Sequence, residues 1–519
     1  MIAVRDTGGI PRRRLREAVA VLSTCGLLLT AACATVVPPR PAPEAGRAAD
    51  PAAGVPPELR RYYEQHLDWA ACQDVPGFQC ATVTVPLDYA RPEAGDITLT
   101  AARVRATGGA GARVGSLQIN PGGPGESAVD YLVAAVGTFS PAMRTAYDLV
   151  AVDPRGVQYS TPVDCGTDTP ATPMGFGLRI SGDAAGITDS YEAFQELATA
   201  CEKHAGELLP HVGTPDAARD MDVVRALLGD ERLHYLGYSY GTYLGATYAD
   251  LFPSRVGRMV LDGVVDPAID GYRENLDSTA GYQLAWESFA ADCVARPDCP
   301  VGHSVAEAGR VLDSLREKLD AGPLRQGKDI TVTGEDFITA VITALRDASW
   351  EELRTMLRQV LAGDTTELQQ VAGADENGSG NAADALLAVD CLSATLGARF
   401  SYAEAQAALP AFLRASPQFG ASLATFLVLC THWPVPPTQS PRPIAAPGAA
   451  PILVVGTTRD PATPYPWAQS LARQLDSGRL LTYDGDGHTA YHRGSPCIDD
   501  AVDLYLTHGE LPEPGTVCG

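Results

Sequence analysis

Long apolar runs are scarce in this chain of 519 residues. The one near the N-terminus, Ala18 to Leu29, is too short to span a bilayer as a mature helix. No CxxC occurs, and the cysteines stand without nearby histidine pairs, which argues against a zinc site. No self-similarity at a period of 20–50 residues is visible, so solenoids and propellers drop out. Clusters of Lys and Arg are missing beyond the N-terminus, and the formal net charge is -24. A nucleic-acid partner needs such clusters to displace counterions, so that class is excluded.

What is present is a globular composition: 45% hydrophobic, 20% charged and 7% aromatic, enough to bury a large core. The length suits several domains or one domain with a large insertion. Arg12, Arg13, Arg14 and Arg16 precede the Ala18–Leu29 run, as in a secretory signal, so export is expected. "LTAAC" follows and offers two exits, cleavage at a small-x-small site or lipidation of Cys33. The lipobox is imperfect, with Thr30 where bacterial lipoproteins usually carry Leu; a lipid anchor at Cys33 is the reading preferred here. Segment 1–32 is then a signal peptide, and 33–57 a Pro/Ala-rich tether expected to be extended and mobile. Ten cysteines remain, an even number that suits disulfides in an exported chain. Pairing of sequence neighbours suggests Cys72–Cys80, Cys165–Cys201, Cys293–Cys299, Cys391–Cys430 and Cys497–Cys518.

From residue 58 the grammar is that of an α/β protein. "FQCATVTVPLDY" and "ITLTAARVRA" read as antiparallel strands. "GSLQIN", "YDLVAV", "LHYLG" and "GRMVLD" are buried strands ending in irregular polar turns, with helices expected over Tyr191–His204, Thr214–Leu228 and Thr242–Phe252. Strands alternating with helices specify a mostly parallel sheet whose ligands sit at the strand carboxyl ends. Residues 58–267 form the first part of this core, 268–437 a helical cap insertion, and 438–519 the C-terminal part.

The turns carry the chemistry. In "GYSYG" Ser239 lies between Gly237 and Gly241, after a strand and before a helix, the setting of a nucleophile elbow. A serine hydroxyl needs a base, and the base an orienting carboxylate. The α/β-hydrolase order of serine, acid and histidine assigns Asp460 after "PILVVGTTR" and His488 after "RLLTYDGDG". His492 reads as a surface-loop residue, and Asp484 and Asp486 as turn acids. Oxyanion donors are expected from the amide of Tyr240 and from "NPGGPGES", with Gly123 favoured. Asp153 and Arg155 in "DPRG" are expected to brace the loops as an internal ion pair.

"INPGGPGES", "VAVDPRGVQYSTPVDC", "GYSYGTYLGATYADLFPSRVGRMVLDGVVDP" and "GTTRDPATPY…GDGHTAY" together resemble the exported tripeptidyl aminopeptidases, α/β-hydrolases similar to prolyl iminopeptidases. The resemblance runs from about residue 60 to the C-terminus. It implies a serine peptidase that takes short peptides from free N-termini of peptides or proteins, with no metal or organic cofactor. It maps onto Ser239, Asp460 and His488, and onto Thr463 beside the acid. Asn120 stands where prolyl iminopeptidases carry histidine, and Glu126 where a small residue is expected. An aminopeptidase must also hold an ammonium group; Glu126, Asp262 and Asp266 are the carboxylate candidates. An esterase or lipase with the same triad is the alternative, and a catalytically dead fold used for binding is a third reading.

Mass spectrometry of the mature N-terminus tests the targeting reading. A lipid anchor predicts a chain beginning at acylated Cys33; an unmodified chain that begins beyond Cys33 rules it out.

Overall fold

The computed structural model describes residues 52–519 apart from 110, 167–183, 327–329, 367, 369–379, 394 and 396. The expected signal peptide, Cys33 and most of the tether lie outside the described residues. The end of the tether departs from expectation. Ala52 and Val55 are buried with Tyr62, Tyr63 and Val223, and Arg255 donates to the Ala53 carbonyl at 2.7 Å. These small apolar side chains find a hydrophobic seat, so residues 52–57 are part of the folded body.

Among the described residues the main sheet has ten strands, in the order β1-β2-β3-β5-β4-β6-β7-β10-β11-β12. In chain order these are β1 (Ala70–Ala71), β2 (Gln79–Pro86), β3 (Asp96–Val104), β4 (Gly115–Asn120), β5 (Tyr147–Val152), β6 (Leu233–Tyr238) and β7 (Val256–Asp262). The cap contributes a separate hairpin, β8 (Leu324–Gln326) with β9 (Ile330–Val332), before β10 (Ile452–Arg459), β11 (Gly478–Asp486) and β12 (Val517–Cys518) return to the sheet. From β1 to β3 and on to β5 the pairing is antiparallel; from β5 to β12 it is parallel. This is the α/β-hydrolase fold. β4 is buried along its whole length, as a parallel strand covered on both faces must be. The strand order reverses around β4, so its carboxyl-end loop meets the turn after β6, where ligands of such sheets bind.

Residues 263–451 leave the sheet between β7 and β10. Helices Gly271–Val294, Val305–Ala321, Gly334–Arg346 and Trp350–Ala362 gather around Trp286, Phe289, Phe337 and Leu357, a core that Phe419 and Leu423 also enter. Their starts are written locally: Thr333 and Asp336 form a capping box at Gly334–Arg346, and Ser304 caps Val305–Ala321. The second half of the excursion behaves differently. Leu387, Leu392, Phe412 and Trp433 are buried in the same cluster as Tyr240 and Leu244 of the helix behind Ser239. Helix Ala184–Ala205, longer than expected, joins them: Thr188 bonds Tyr402 and Tyr191 packs edge-on against His432. Among the described residues five disulfides form, those expected from sequence neighbours.

The Asp153–Arg155 pair is not formed. Arg155, fully buried, makes a two-pronged bond with Asp220, Nε to Oδ2 at 2.7 Å and Nη2 to Oδ1 at 2.8 Å. Asp153 instead accepts from the Ser127 hydroxyl and the amides of Val129 and Tyr159. Proline between them turns the two side chains apart, and each braces the loops through a distant partner.

Glu274, on the first cap helix, is buried with no partner for Oε2. Burial, and then the charge of Asp266, push its carboxyl up to about 7 from an ordinary 4.5. Between those values the folded chain holds a proton that the unfolded chain releases, so stability falls as pH rises through that window. Glu274→Gln is expected to remove this loss. Thermal melts at pH 5 and pH 8 should show the variant gaining on wild type at the higher pH, by up to about 3 kcal/mol. Equal gaps at both pH values would refute it.

Candidate active site

Ser239 closes β6 with φ 53 and ψ -126, a left-handed backbone that costs a non-glycine residue of the order of 1–3 kcal/mol. The surroundings hold it there. Its amide donates to the Asp262 carbonyl at 2.9 Å, and its carbonyl accepts the Thr242 amide at 2.8 Å and the Thr242 hydroxyl at 2.6 Å. The flanking glycines answer to space. A Cβ on Gly237 would lie 2.4 Å from the Gly241 carbonyl oxygen, and one on Gly241 2.8 Å from Asn120 Oδ1. Helix Tyr240–Leu251 begins directly behind the serine. The Tyr240 amide is thus a first-turn N–H without an acceptor inside the helix, at the positive end of the dipole.

The loop after β4 presses on this turn. A Cβ on Gly122 would stand 2.8 Å from Ser239 Cβ and 3.2 Å from the Tyr240 nitrogen. Asn120 Oδ1 accepts the Gly122 amide at 3.0 Å. Gly123, with φ 97, lines the cavity in front of Ser239.

Asp460 and His488 come from the turns after β10 and β11. His488 Nδ1 lies 2.9 and 3.0 Å from the two Asp460 oxygens, both residues buried. The carboxylate also accepts the amides of Ala462 and Thr463 at 2.9 Å and the Thr463 hydroxyl at 3.0 Å. Thr463 Oγ1 is 3.3 Å from His488 Nδ1 as well, so it touches both partners. With Nδ1–H donated to the carboxylate, Nε2 is left as the basic nitrogen.

Ser239, His488, Gly123 and Glu126 line one cavity of about 480 Å³, within the roughly 300–1,000 Å³ usual for small-molecule sites. The ammonium candidates separate. Glu126 is on the wall; Asp262 and Asp266 are not among the lining residues. Asp262 is turned into the protein onto the amides of Ala490 and Tyr491, and Asp266 onto the Ala268 amide and Gln474 Nε2. Both are turn acids satisfied by nearby N–H groups, which removes them from a substrate's reach.

Sequence reading missed the cap's contribution to this wall. Arg346 and Asp347, at the end of a cap helix, reach the cavity, and the Arg346 carbonyl accepts the His488 amide at 2.7 Å. Nothing in the local sequence ties this cap turn to a histidine so far along the chain. His492, read as a surface residue, is a half-buried lining residue stacked on Tyr491, with Nδ1 3.2 Å from Thr138 Oγ1. Its left-handed φ of 63 turns the loop back toward the cavity. Asp484 and Asp486 pair with Arg459 at 2.8 and 2.9 Å and serve the turn.

A family model described as TAP-like protein matches residues 416–518. Tripeptidyl aminopeptidase of Streptomyces lividans is 33% identical, over 87% of this chain and 86% of that one. The chain belongs to the tripeptidyl aminopeptidase family of α/β-hydrolase serine peptidases. Two further relatives of this family member are 36% identical. Serine protease Hip1 of Mycobacterium tuberculosis aligns over 88% of this chain and 91% of its own length. A Mycobacterium tuberculosis protein named Carboxylesterase B aligns over 97% and 99%.

The carboxylate–imidazole pair predicts a large loss of turnover on Asp460→Asn. Turnover should drop by about 10³–10⁴-fold, because the amide no longer selects the tautomer with a free Nε2. Circular dichroism should change little, and the melting temperature should fall, since the amide nitrogen of Asn cannot accept the N–H and O–H groups held by the carboxylate oxygen it replaces. A loss below tenfold would mean that Asp460 does not orient His488.

Proposed function

We propose that this peptidase releases short peptides, in particular tripeptides, from free N-termini of peptides or proteins through an acyl-enzyme, and that it acts outside the cytoplasm. The observation that carries the reading is a strained serine and an aspartate-bound imidazole facing one cavity beneath a cap turn. Ser239 Oγ attacks the scissile carbonyl while His488 Nε2 takes its proton. The amides of Tyr240 and Gly123 receive the oxyanion, and preorganised donors of this kind are worth about 10²–10³ in rate each. Protonated His488 then gives its proton to the departing amine, and a water activated by the same imidazole releases the acyl peptide. Asp460 holds the imidazole, and Thr463 holds both.

Exopeptidase selection fits the roof and the wall. The cap meets both catalytic turns: the Ser278 hydroxyl donates to the Ala462 carbonyl, and Arg346 accepts from His488. A long chain cannot pass freely under a roof fastened at these points. Glu126 from the core and Asp347 from the cap supply carboxylates for a substrate ammonium group. Export is supported by the arginine-led apolar N-terminal run and by five disulfides, which persist in oxidising compartments. Cys33 is the proposed site of a lipid anchor at the cell envelope.

Matched peptides with free and acetylated N-termini test the proposal. Wild type should cleave only the free peptides, and Ser239→Ala should lose turnover by orders of magnitude. Glu126→Gln and Asp347→Asn should raise KM for free peptides about tenfold while sparing simple esters. Cleavage of esters but of neither peptide would replace the peptidase reading with that of an esterase.

A further inference from the structure

We propose that Asp262 is a positioning residue for His488, holding the histidine loop by hydrogen bonds and favouring the protonated imidazole by its charge. The inference rests on the serine-hydrolase reading of the site and adds to it a residue outside the triad. Asp262 ends β7, in register with Tyr238 on one side and Val455 on the other. It is one strand away from the nucleophile and from the strand that carries Asp460. Its two halves hold opposite sides of the reaction centre. The backbone carbonyl accepts the Ser239 amide at 2.9 Å. The carboxylate accepts the Ala490 amide at 2.9 and 3.1 Å and the Tyr491 amide at 2.9 Å.

Those amides belong to the loop that starts at His488. Thr489, between the histidine and the held amides, is left-handed with φ 68. A β-branched residue does not stay in that region without outside support. Support comes from three directions. Asp262 takes the next two amides, Asp460 takes the Thr489 amide at 3.3 Å, and the Thr457 hydroxyl donates to the Thr489 carbonyl at 3.2 Å. The contact with the imidazole is also close. A Cβ on Gly263 would lie 3.0 Å from His488 Cε1 and 2.9 Å from Thr489 Cγ2, so the ring edge rests on the backbone next to Asp262.

The carboxylate is fully buried. The titratable groups around it are His488 and Asp460 on the two catalytic turns, Tyr131 and Tyr238 on the elements beside β7, and Tyr491 in the loop it holds. Burial pushes the Asp262 carboxyl up to about 6, opposed by the two loop amides and by the attraction of His488. Two carboxylates therefore act on one imidazole, Asp460 by direct contact and Asp262 from behind the loop. When Ser239 transfers its proton to His488, the new positive charge forms in the field of both. Asp262 touches neither the substrate nor the reacting atoms.

Asp262→Asn in the full chain tests this, with a steady-state pH series on a free-N-terminus peptide. The expected result is a kcat at least tenfold lower, KM within about twofold, and an acid limb of kcat/KM moved to lower pH, since the charge favouring protonated His488 is gone. A lowered kcat with an unmoved limb would reduce Asp262 to a loop fastener and overturn the proposal, and so would unchanged kinetics. Should the variant not fold, ¹³C NMR of wild-type aspartate carboxyls decides. Phosphonylation of Ser239 holds a proton on His488, and the Asp262 carboxyl, told apart from the equally buried Asp153 as the signal that Asp153→Asn leaves in place, should then titrate lower. An unmoved midpoint overturns the proposal. Full activity of Ser239→Ala would instead sink the serine-hydrolase reading itself, whatever Asp262 does.

Discussion

A single backbone conformation organises this molecule: the left-handed turn at Ser239. It is unfavourable for serine and exists only because the surrounding sheet over-determines it. β7 supplies a carbonyl for the Ser239 amide, and Thr242 two donors for its carbonyl. The glycines at 237, 241 and 245 let β6, its helix and β7 approach within distances that a Cβ would forbid. Strain at the turn is thus matched by packing around it, and the reward is a hydroxyl presented above the sheet at the start of a helix.

The histidine side of the site obeys a similar logic with different means. No helix or strand carries His488; it stands on a loop, and loops need fastening. Asp460 accepts from three backbone amides, a threonine hydroxyl and the imidazole, so its carboxylate is the hub of the turn after β10. Asp262 grips the loop two residues further on, and the cap takes the His488 amide from above. The imidazole therefore has a fixed direction before any substrate arrives, which electrostatic catalysis requires of its groups.

The cap is two structures in one. Its first half gathers around Trp286 and Phe337 in a core that Phe419 and Leu423 of the second half help to fill, while most of the second half shares a core with the helix behind Ser239. That division links the roof of the cavity to the floor. Asp347 and Arg346 hang from the first half, and the Arg346 carbonyl is bonded to His488. The cavity wall and the histidine loop consequently share a hydrogen bond.

Much of this was legible in the residues. The alternation of strands and helices gave the sheet; glycines two residues either side of Ser239 marked the elbow; the order serine, aspartate, histidine pointed to Asp460 and His488. Such features are local, because backbone strain, strand-end turns and periodicity are written within a few residues. Even the five disulfides followed from proximity along the chain. The tertiary structure alone decided what distant segments do to one another. It turned Asp262 onto the amides of Ala490 and Tyr491 and Asp266 onto Gln474, away from the cavity, and paired Arg155 with Asp220 rather than Asp153. It brought His492 and the cap turn at Asp347 onto the cavity wall. A carboxylate takes the nearest donors that the fold provides, and those donors are fixed by packing between segments hundreds of residues apart, which no short stretch of sequence records.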